Sequence, residues 1–360
     1  MTPIPAFDPL GLPAPIWFLL ALKVFGFWVH LIFMGLWFAG FVVGLLLLPS
    51  NGSLRLAGQR LLKRMPVIIA FGVNAGIVPL LFLQVLYPQF FYTSTVLQAW
   101  YWFSVIVLII FAYYGTYYYV HNAEREERKR VATLIGWLSA LIFLFLGIVF
   151  ASEMQLMVTP DRWSDFFRHT IGGAVLGNRL AFDGIALQRY LMIFGLSLST
   201  VAAYFVFDQH GLQGNDQPVS NEFRTLILGL TFLGLVIFGA AALPYLQQIR
   251  PFLKGIELWK GLAGLGPFLV LVGGLLYAVK PGNTTAWLVP GAQALSLLFN
   301  AITRQIVQVR ELAQHVDLSS LPLHIQLSPI LLFLITFVIG LIVTMWLLKM
   351  YRAASTSPHS

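Results

Sequence analysis

The chain has 360 residues, of which 58% are hydrophobic and 10% charged, with a formal net charge of +8 at pH 7. About a quarter of the residues in a soluble globular domain are charged, so this composition excludes that class. The chain has no cysteine, which excludes disulfides, iron–sulfur ligation and haem attached through cysteine. The positive charge lies in short loops between apolar segments, and we do not expect nucleic acid as a partner.

Apolar runs recur along the whole chain, and each is long enough to cross a bilayer, which takes about 20 residues. We therefore predict an all-α, polytopic membrane bundle of about nine transmembrane helices, because a helix satisfies its own backbone hydrogen bonds in lipid. The predicted spans are 15–49, 66–87, 96–120, 131–157, 185–207, 223–246, 262–279, 287–309 and 327–348.

The loops predict an orientation. Basic residues cluster at 55–64 and 125–130, whereas the loop between them, 88–95, is uncharged. Because basic loops stay in the cytoplasm, we expect the N-terminus outside and the C-terminus, flanked by Lys349 and Arg352, inside. The expected location is the inner, cytoplasmic membrane of a bacterium, with the lipid bilayer around the spans.

A polar stretch divides the chain. Residues 208–222 include Gly, Pro and Asn, which is typical of a linker. We predict an N-terminal bundle of about five helices over 1–207, a cytoplasmic linker over 208–222, a C-terminal bundle of about four helices over 223–352, and a disordered tail over 353–360. The C-terminal spans look poor in polar groups.

His30 is the histidine with long apolar sequence on both sides. An ionisable ring in lipid needs a partner, and an imidazole buried in a helical bundle is a common axial haem ligand. The alternative is a structural histidine that bonds a carbonyl or hydroxyl group of a neighbouring helix. In the second span, 72–79 contains two glycines, Asn74 and Pro79, which indicates close helix packing or room for a flat cofactor.

Further polar groups lie toward the predicted outer face. Lys23 can extend its ammonium group to the membrane surface. Gln84, Glu153 and Arg189 lie on three different spans, and two interpretations are open. Glu153 and Arg189 form an ion pair, or these groups line a quinol pocket or contact haem propionates. The aromatic residues of 87–92 form either a wall of that pocket or an interfacial belt.

Four stretches, in matching order and approximate spacing, resemble subunit I of cytochrome bd-type quinol oxidases. The likeness covers about the first 210 residues. The first stretch is similar to the first-helix haem-ligand histidine of that family, and the last to the helix that carries a histidine ligand of the low-spin haem b. The stretches are HLIF (30–33) with Gly40, GVNAGI (72–77), SEMQ (152–155) with Pro160, and RYLM (189–192) with Ser197 and 202–203.

The chain departs from the family at two positions. Leu80, or a neighbour, stands where the family has a glutamate essential to the oxygen-reducing haems, and Met192 stands where it has a histidine. The long quinol-binding loop of the family is also missing. The resemblance therefore implies electron transfer without terminal-oxidase chemistry. It implies a b-type haem whose iron is bound by His30, with Met192 as a second ligand or with none, and Asn74 beside the cofactor.

We therefore expect a membrane electron-transfer subunit of a respiratory complex. It would exchange electrons between the quinone pool, at a site formed by Glu153, Arg189 and Gln84, and a periplasmic c-type cytochrome or another redox subunit. The alternative is a haem-free anchoring subunit that keeps the fold and has lost the ligands. A transporter or channel would need ionisable groups along a path through the bilayer, whereas here they gather in the outer half.

Overall fold

The computed structural model describes residues 4–168, 179–212 and 219–356, with the side chains of 347–348 and 351–356 left out. Within these ranges, nine helices are long and apolar enough to cross a membrane, which confirms the all-α class and the predicted number of helices of that length. The helices are α1 Ile16–Phe38, α2 Gly40–Leu47, α3 Gly52–Leu86, α4 Pro88–Leu97, α5 Ala99–Asn122, α6 Lys129–Met157, α7 Trp163–Arg168, α8 Gly184–Phe207, α9 Asn221–Gln248, α10 Glu257–Val279, α11 Asn283–Leu312 and α12 Leu327–Thr356.

Some helices differ from the predicted spans. The first span is interrupted at Ala39, between α1 and α2. The basic segment 55–64 is not a loop but the first turns of α3, which has 35 residues and at about 1.5 Å per residue exceeds the apolar thickness of a bilayer. α12 continues to Thr356, into the segment predicted as a tail, and 357–360 lie outside the described residues.

Helices from both predicted bundles pack together. α8 packs along α9, and α11 contacts both α1 and α8. Gln293 of α11 donates hydrogen bonds to the carbonyl of Leu196 (3.0 Å) and to Oγ1 of Thr200 (2.8 Å), both on α8. Of the predicted linker, Asp208–Leu212 continues α8 as a π-helical turn, while 213–218 lie outside the described residues.

The helices differ in how much of their surface the protein covers. In the most apolar windows of the α1–α2 span and of α8, 61% of residues are buried, against 0% in the window of α12. α12 contacts the other helices through aromatic rings, such as Phe337 against Phe25 and Phe333 against Phe82. α1 and α8 are therefore central, and α12 is peripheral.

A short backbone pairing joins the segments that precede the first and last spans. Leu12 donates to the carbonyl of Pro322 (2.8 Å) and accepts from the amide of His324 (2.9 Å), and the amide of Gln326 donates to the carbonyl of Pro13 (3.0 Å). This pairing, with the ring contacts above, holds α12 against the bundle.

The two ends of the bundle carry different chemistry. The end at which α1 begins contains a buried polar network and is called the network end below. The opposite end, at which α3 begins, is called the basic end. At the basic end, Asp208 is buried and accepts hydrogen bonds from Arg60 (2.5 Å) and Arg64, while Arg64 also donates to the hydroxyl of Tyr204 (2.9 Å).

Candidate functional site: a buried polar network

Arg189 is the centre of the network. One guanidinium nitrogen donates to Oε1 of Gln155 on α6 (3.0 Å), and another donates to both carboxylate oxygens of Glu311 on α11 (3.1 and 3.3 Å). Its Nε donates to the hydroxyl of Tyr245 on α9 (3.3 Å). Hydrogen bonds between a guanidinium group and a carboxylate are among the stronger polar interactions in proteins. Arg189 therefore fixes three neighbouring helices relative to α8.

Lys23 continues the network onto α1. Its side chain is buried, and Nζ donates to Oε1 of Gln308 on α11 (2.5 Å). The same Nζ lies 5.8 Å from the centroid of the Tyr87 ring. The expectation that Lys23 reaches the membrane surface is wrong, because α11 supplies a buried acceptor.

Arg304 is the third cation of the network. Its guanidinium carbon lies 4.5 Å from the ring centroid of Phe27, and its charged neighbours are Lys23, Arg189 and Glu311. Within the described part of the chain, no hydrogen bond or ion pair from Arg304 is formed. Its N–H groups are therefore available to an acceptor that the described residues do not supply.

α11 carries a polar face. The expectation that the C-terminal spans are poor in polar groups is therefore wrong. Arg304, Gln308 and Glu311 are spaced by four and three residues, so they lie on one face of α11. Mean hydropathy over the predicted span 287–309 hides Arg304 and Gln308, and Glu311 lies just beyond that span. The spacing of the three residues would have indicated a polar face directed into the protein.

Hydrogen-bond donors outnumber acceptors in this network. In the described structure, Glu311 supplies the one carboxylate of the network, whereas three side chains, Lys23, Arg189 and Arg304, are cations. The hydroxyl of Tyr87 is also buried there without a hydrogen-bond partner. Buried polar groups normally find partners, so donors in excess of acceptors, at the buried Lys23 and Tyr87 and the half-buried Arg304, are typical of a site for a ligand with acceptor oxygens.

Glu153 does not belong to this network. Its carboxylate is buried and accepts hydrogen bonds from Oγ of Ser94 and from Nε2 of Gln98 (3.0 Å). The predicted alternative of a Glu153–Arg189 ion pair is wrong, because Arg189 instead bonds Gln155 and Glu311. The segment 88–95, predicted as a loop, is largely α4, and this helix supplies Ser94.

Gln84 and Asn74 also lie apart from the network. Gln84 is half-buried and accepts from the hydroxyl of Tyr92 (3.1 Å), which is exposed. Asn74 is exposed and donates to the carbonyl of Ala70 in its own helix (2.8 Å). Of the predicted quinone residues Glu153, Arg189 and Gln84, the structure therefore brings only Arg189 into the network.

His30 faces α3. Its Nδ1 lies 2.8 Å from the carbonyl oxygen of Gly72, and since a carbonyl can only accept, Nδ1 carries the proton. The lone pair is then on Nε2, which is the arrangement found in histidines that bind metal through Nε2. The His30 tautomer therefore fits haem ligation and equally fits the structural alternative.

The glycines of α3 serve close packing. A Cβ atom at Gly76 would lie 2.7 Å from Nδ1 and Cε1 of His30, and one at Gly72 would collide with the ring of Trp37. Trp37 also meets the His30 ring edge to face, with centroids 5.9 Å apart. The face of α3 next to His30 is therefore filled by side chains of α1.

Met192 lies elsewhere. It packs against the apolar cluster that contains Tyr245 and Ile249, whereas His30 contacts α3. The structure does not bring these two residues together, so His30 fits a haem iron as one ligand and Met192 does not fit as the second.

Comparison of the chain with protein-family models, with curated proteins and with solved structures finds no match. The resemblance to the bd-type oxidases stays a prediction, and the function has to be argued from the residues themselves.

Proposed function

We propose that this protein is the membrane electron-transfer subunit of a bacterial respiratory complex, and that it binds a quinone in the network of Lys23, Arg189, Arg304 and Glu311. The electrons pass to or from a periplasmic c-type cytochrome or another redox subunit. The observation that carries the proposal is the excess of hydrogen-bond donors over acceptors among Lys23, Tyr87, Arg189, Arg304 and Glu311 at the network end.

A quinone headgroup can accept hydrogen bonds from these excess donors, because its carbonyl oxygens are acceptors. Lys23 has N–H groups left after its hydrogen bond to Gln308, and, within the described residues, Arg304 has all of its own. The rings of Phe27 and Tyr87 beside these cations provide flat apolar surfaces for the quinone ring. Glu311 is a carboxylate that can exchange a proton while quinone and quinol interconvert. Arg189 is a positioning residue, because it holds Glu311.

A b-type haem bound by Nε2 of His30 would supply the electron-transfer step between the quinone and the partner subunit. The hydrogen bond from Nδ1 to Gly72 supports this role, since it fixes the ring and its tautomer.

Quinone binding can be measured by titrating the purified protein with a short-chain ubiquinone and a short-chain menaquinone. We expect Lys23→Met and Arg304→Met each to weaken binding by about 10-fold or more, because a hydrogen bond from a charged donor contributes about 1.5–3 kcal/mol. Lys254→Met, which changes an exposed lysine at the same end, is the control. Wild-type affinity in both folded variants, as judged by circular dichroism, would rule out this site.

The second candidate is a haem-free anchoring subunit, which the filled face of α3 beside His30 favours. A reduced-minus-oxidised spectrum and a pyridine haemochrome assay distinguish the two. Under the first proposal, wild type shows a b-type signal that His30→Ala loses and His121→Ala keeps, since His121 is exposed and bonds its own helix. A wild-type protein without haem absorbance supports the anchor.

A further inference from the structure

A cavity of about 730 Å³ lies at the basic end, between the α2–α3 and α5–α6 helix pairs. It is far from the network end in the fold and shares none of the network residues. Cavities of this volume are in the range that holds a small molecule or a lipid headgroup. Its lining combines basic side chains, among them Arg55, Lys63 and Lys129, with apolar ones such as Leu46, Leu56 and Trp137.

Basic side chains line the cavity from two helices, α3 and α6. Arg55, Gln59 and Lys63 recur at every fourth residue of α3, so they form one stripe on that helix. Lys129, the first residue of α6, lies opposite, where the N-terminal end of the helix dipole also favours an anion. Glu124 is the carboxylate among the lining residues.

Arg55 and Lys63 are available to bind a ligand. Arg60, between them in sequence, is occupied by Asp208, and Lys129 has an exposed partner in Glu126 (3.3 Å). In the described part of the chain, Arg55 and Lys63 form no hydrogen bond or ion pair. The cavity therefore has uncompensated positive charge.

Part of the remaining lining is apolar and exposed. Leu46 and Leu56 are 60% and 52% exposed, and the half-buried Trp137 also lines the cavity. Tryptophan side chains favour the boundary between the apolar core and the headgroups of a bilayer. A ligand that uses both parts of this cavity must carry an anionic group beside a hydrocarbon chain.

We propose that this cavity binds an anionic phospholipid. Its phosphate contacts Arg55, Lys63 and Lys129, and the start of an acyl chain lies along Leu46 and Leu56. Basic pockets between transmembrane helices on the cytoplasmic side bind lipid headgroups in this way. Free phosphate would use the cations alone, and a zwitterionic lipid would offer them no net charge.

Native mass spectrometry of the purified, delipidated protein tests this proposal. The protein is titrated separately with phosphatidylglycerol, phosphatidylcholine and inorganic phosphate. We expect phosphatidylglycerol to bind at lower concentration than phosphatidylcholine, with little displacement by phosphate. Equal binding of both lipids, or displacement by inorganic phosphate at comparable concentration, would overturn the proposal.

Two double variants locate the site. Arg55→Gln/Lys63→Gln should weaken phosphatidylglycerol binding by about 30-fold, because each basic residue near the membrane surface contributes a factor of about five. Arg125→Gln/Arg130→Gln removes the same charge from a neighbouring exposed segment outside the cavity and should leave the affinity unchanged. Equal affinities for the two variants, at matching melting temperatures, would assign the effect to general surface charge and refute the site.

Discussion

Two cations of the network, Lys23 and Arg189, have hydrogen-bond partners on other helices. Arg189 bonds Glu311 and Gln155, and Lys23 bonds Gln308. Removal of one member of a buried ion pair leaves the charge of the other uncompensated and lowers the free energy of unfolding by about 3–5 kcal/mol. Replacement of both members by apolar residues lowers it much less.

Arg189→Met and Glu311→Leu should each lower the melting temperature strongly. The double variant should lose much less stability than the sum of the losses in the two single variants. The expected coupling free energy is about 1–3 kcal/mol, from thermal unfolding of the four proteins in detergent. The cycle Arg189→Met with Glu153→Leu is the control, since these residues bond different partners, and its effects should add. Additive effects for Arg189 and Glu311 would contradict a direct pair.

The partners themselves could not be predicted from the sequence. Hydropathy is enough to identify Glu153 and Arg189 as polar groups within apolar runs. Successive residues of a helix point about 100° apart, so the rotation of α6 decides whether Glu153 or Gln155 meets α8. That rotation depends on packing of the whole bundle, and it placed Glu153 against α4 and Gln155 against Arg189.

Close contact between α8 and α9 depends on two glycines. A Cβ atom at Gly195 would collide with the backbone of α9 at Gly234 and lie 2.7 Å from the amide nitrogen of Phe238, and one at Gly234 would lie 3.0 Å from that of Ser199. Small residues allow helix backbones in membranes to approach closely and gain van der Waals contact. Since the obstacles are backbone atoms, neither helix can adjust by a side-chain rotation.

Gly234→Ala should therefore lower the melting temperature, although alanine favours a helix over glycine by about 1 kcal/mol. Gly229→Ala and Gly239→Ala, on the same helix with nothing within 4 Å of the added methyl group, should keep or raise it. Differential scanning fluorimetry of the three variants checks this. A gain of stability in Gly234→Ala would show that α8 and α9 are farther apart than described.

Helices were predictable where hydropathy alone decides them. Each of the nine predicted spans falls on helix in the structure, with the first interrupted at Ala39, as expected because an apolar run must be helical in lipid. α4 was missed, because the polar side chains of Ser94 and Thr95, and of Gln98 directly after the helix, are directed inward by tertiary contacts that no local pattern reveals. The N-terminal turns of α3 were missed because their basic residues look like a loop.

Two clusters of charged side chains lie at opposite ends of the bundle. The network of Lys23 and Arg189 lies at one end, and the cations of 55–64 lie at the other. If basic segments stay in the cytoplasm, the proposed quinone site lies near the outer face and the proposed lipid site in the inner leaflet.

Single cysteines can test this orientation, since the natural chain has none. In intact cells, a membrane-impermeant maleimide should label Ser320→Cys at the network end and should not label Asn51→Cys or Glu126→Cys at the basic end. The latter two should become labelled after permeabilisation. The reverse pattern would invert the bundle and place the proposed quinone site near the cytoplasm.

The backbone pairing of Leu12 and Pro13 with the segment 322–326 has a consequence for biosynthesis. The first span leaves the ribosome long before this segment has been synthesised, so the carbonyls of Leu12 and Pro13 have no partner in the segment until translation approaches α12. In a nascent chain halted before residue 322, the segment ahead of α1 lacks these hydrogen bonds and is accessible to protease. Resistance of that segment to digestion would then report that the last span has joined the others.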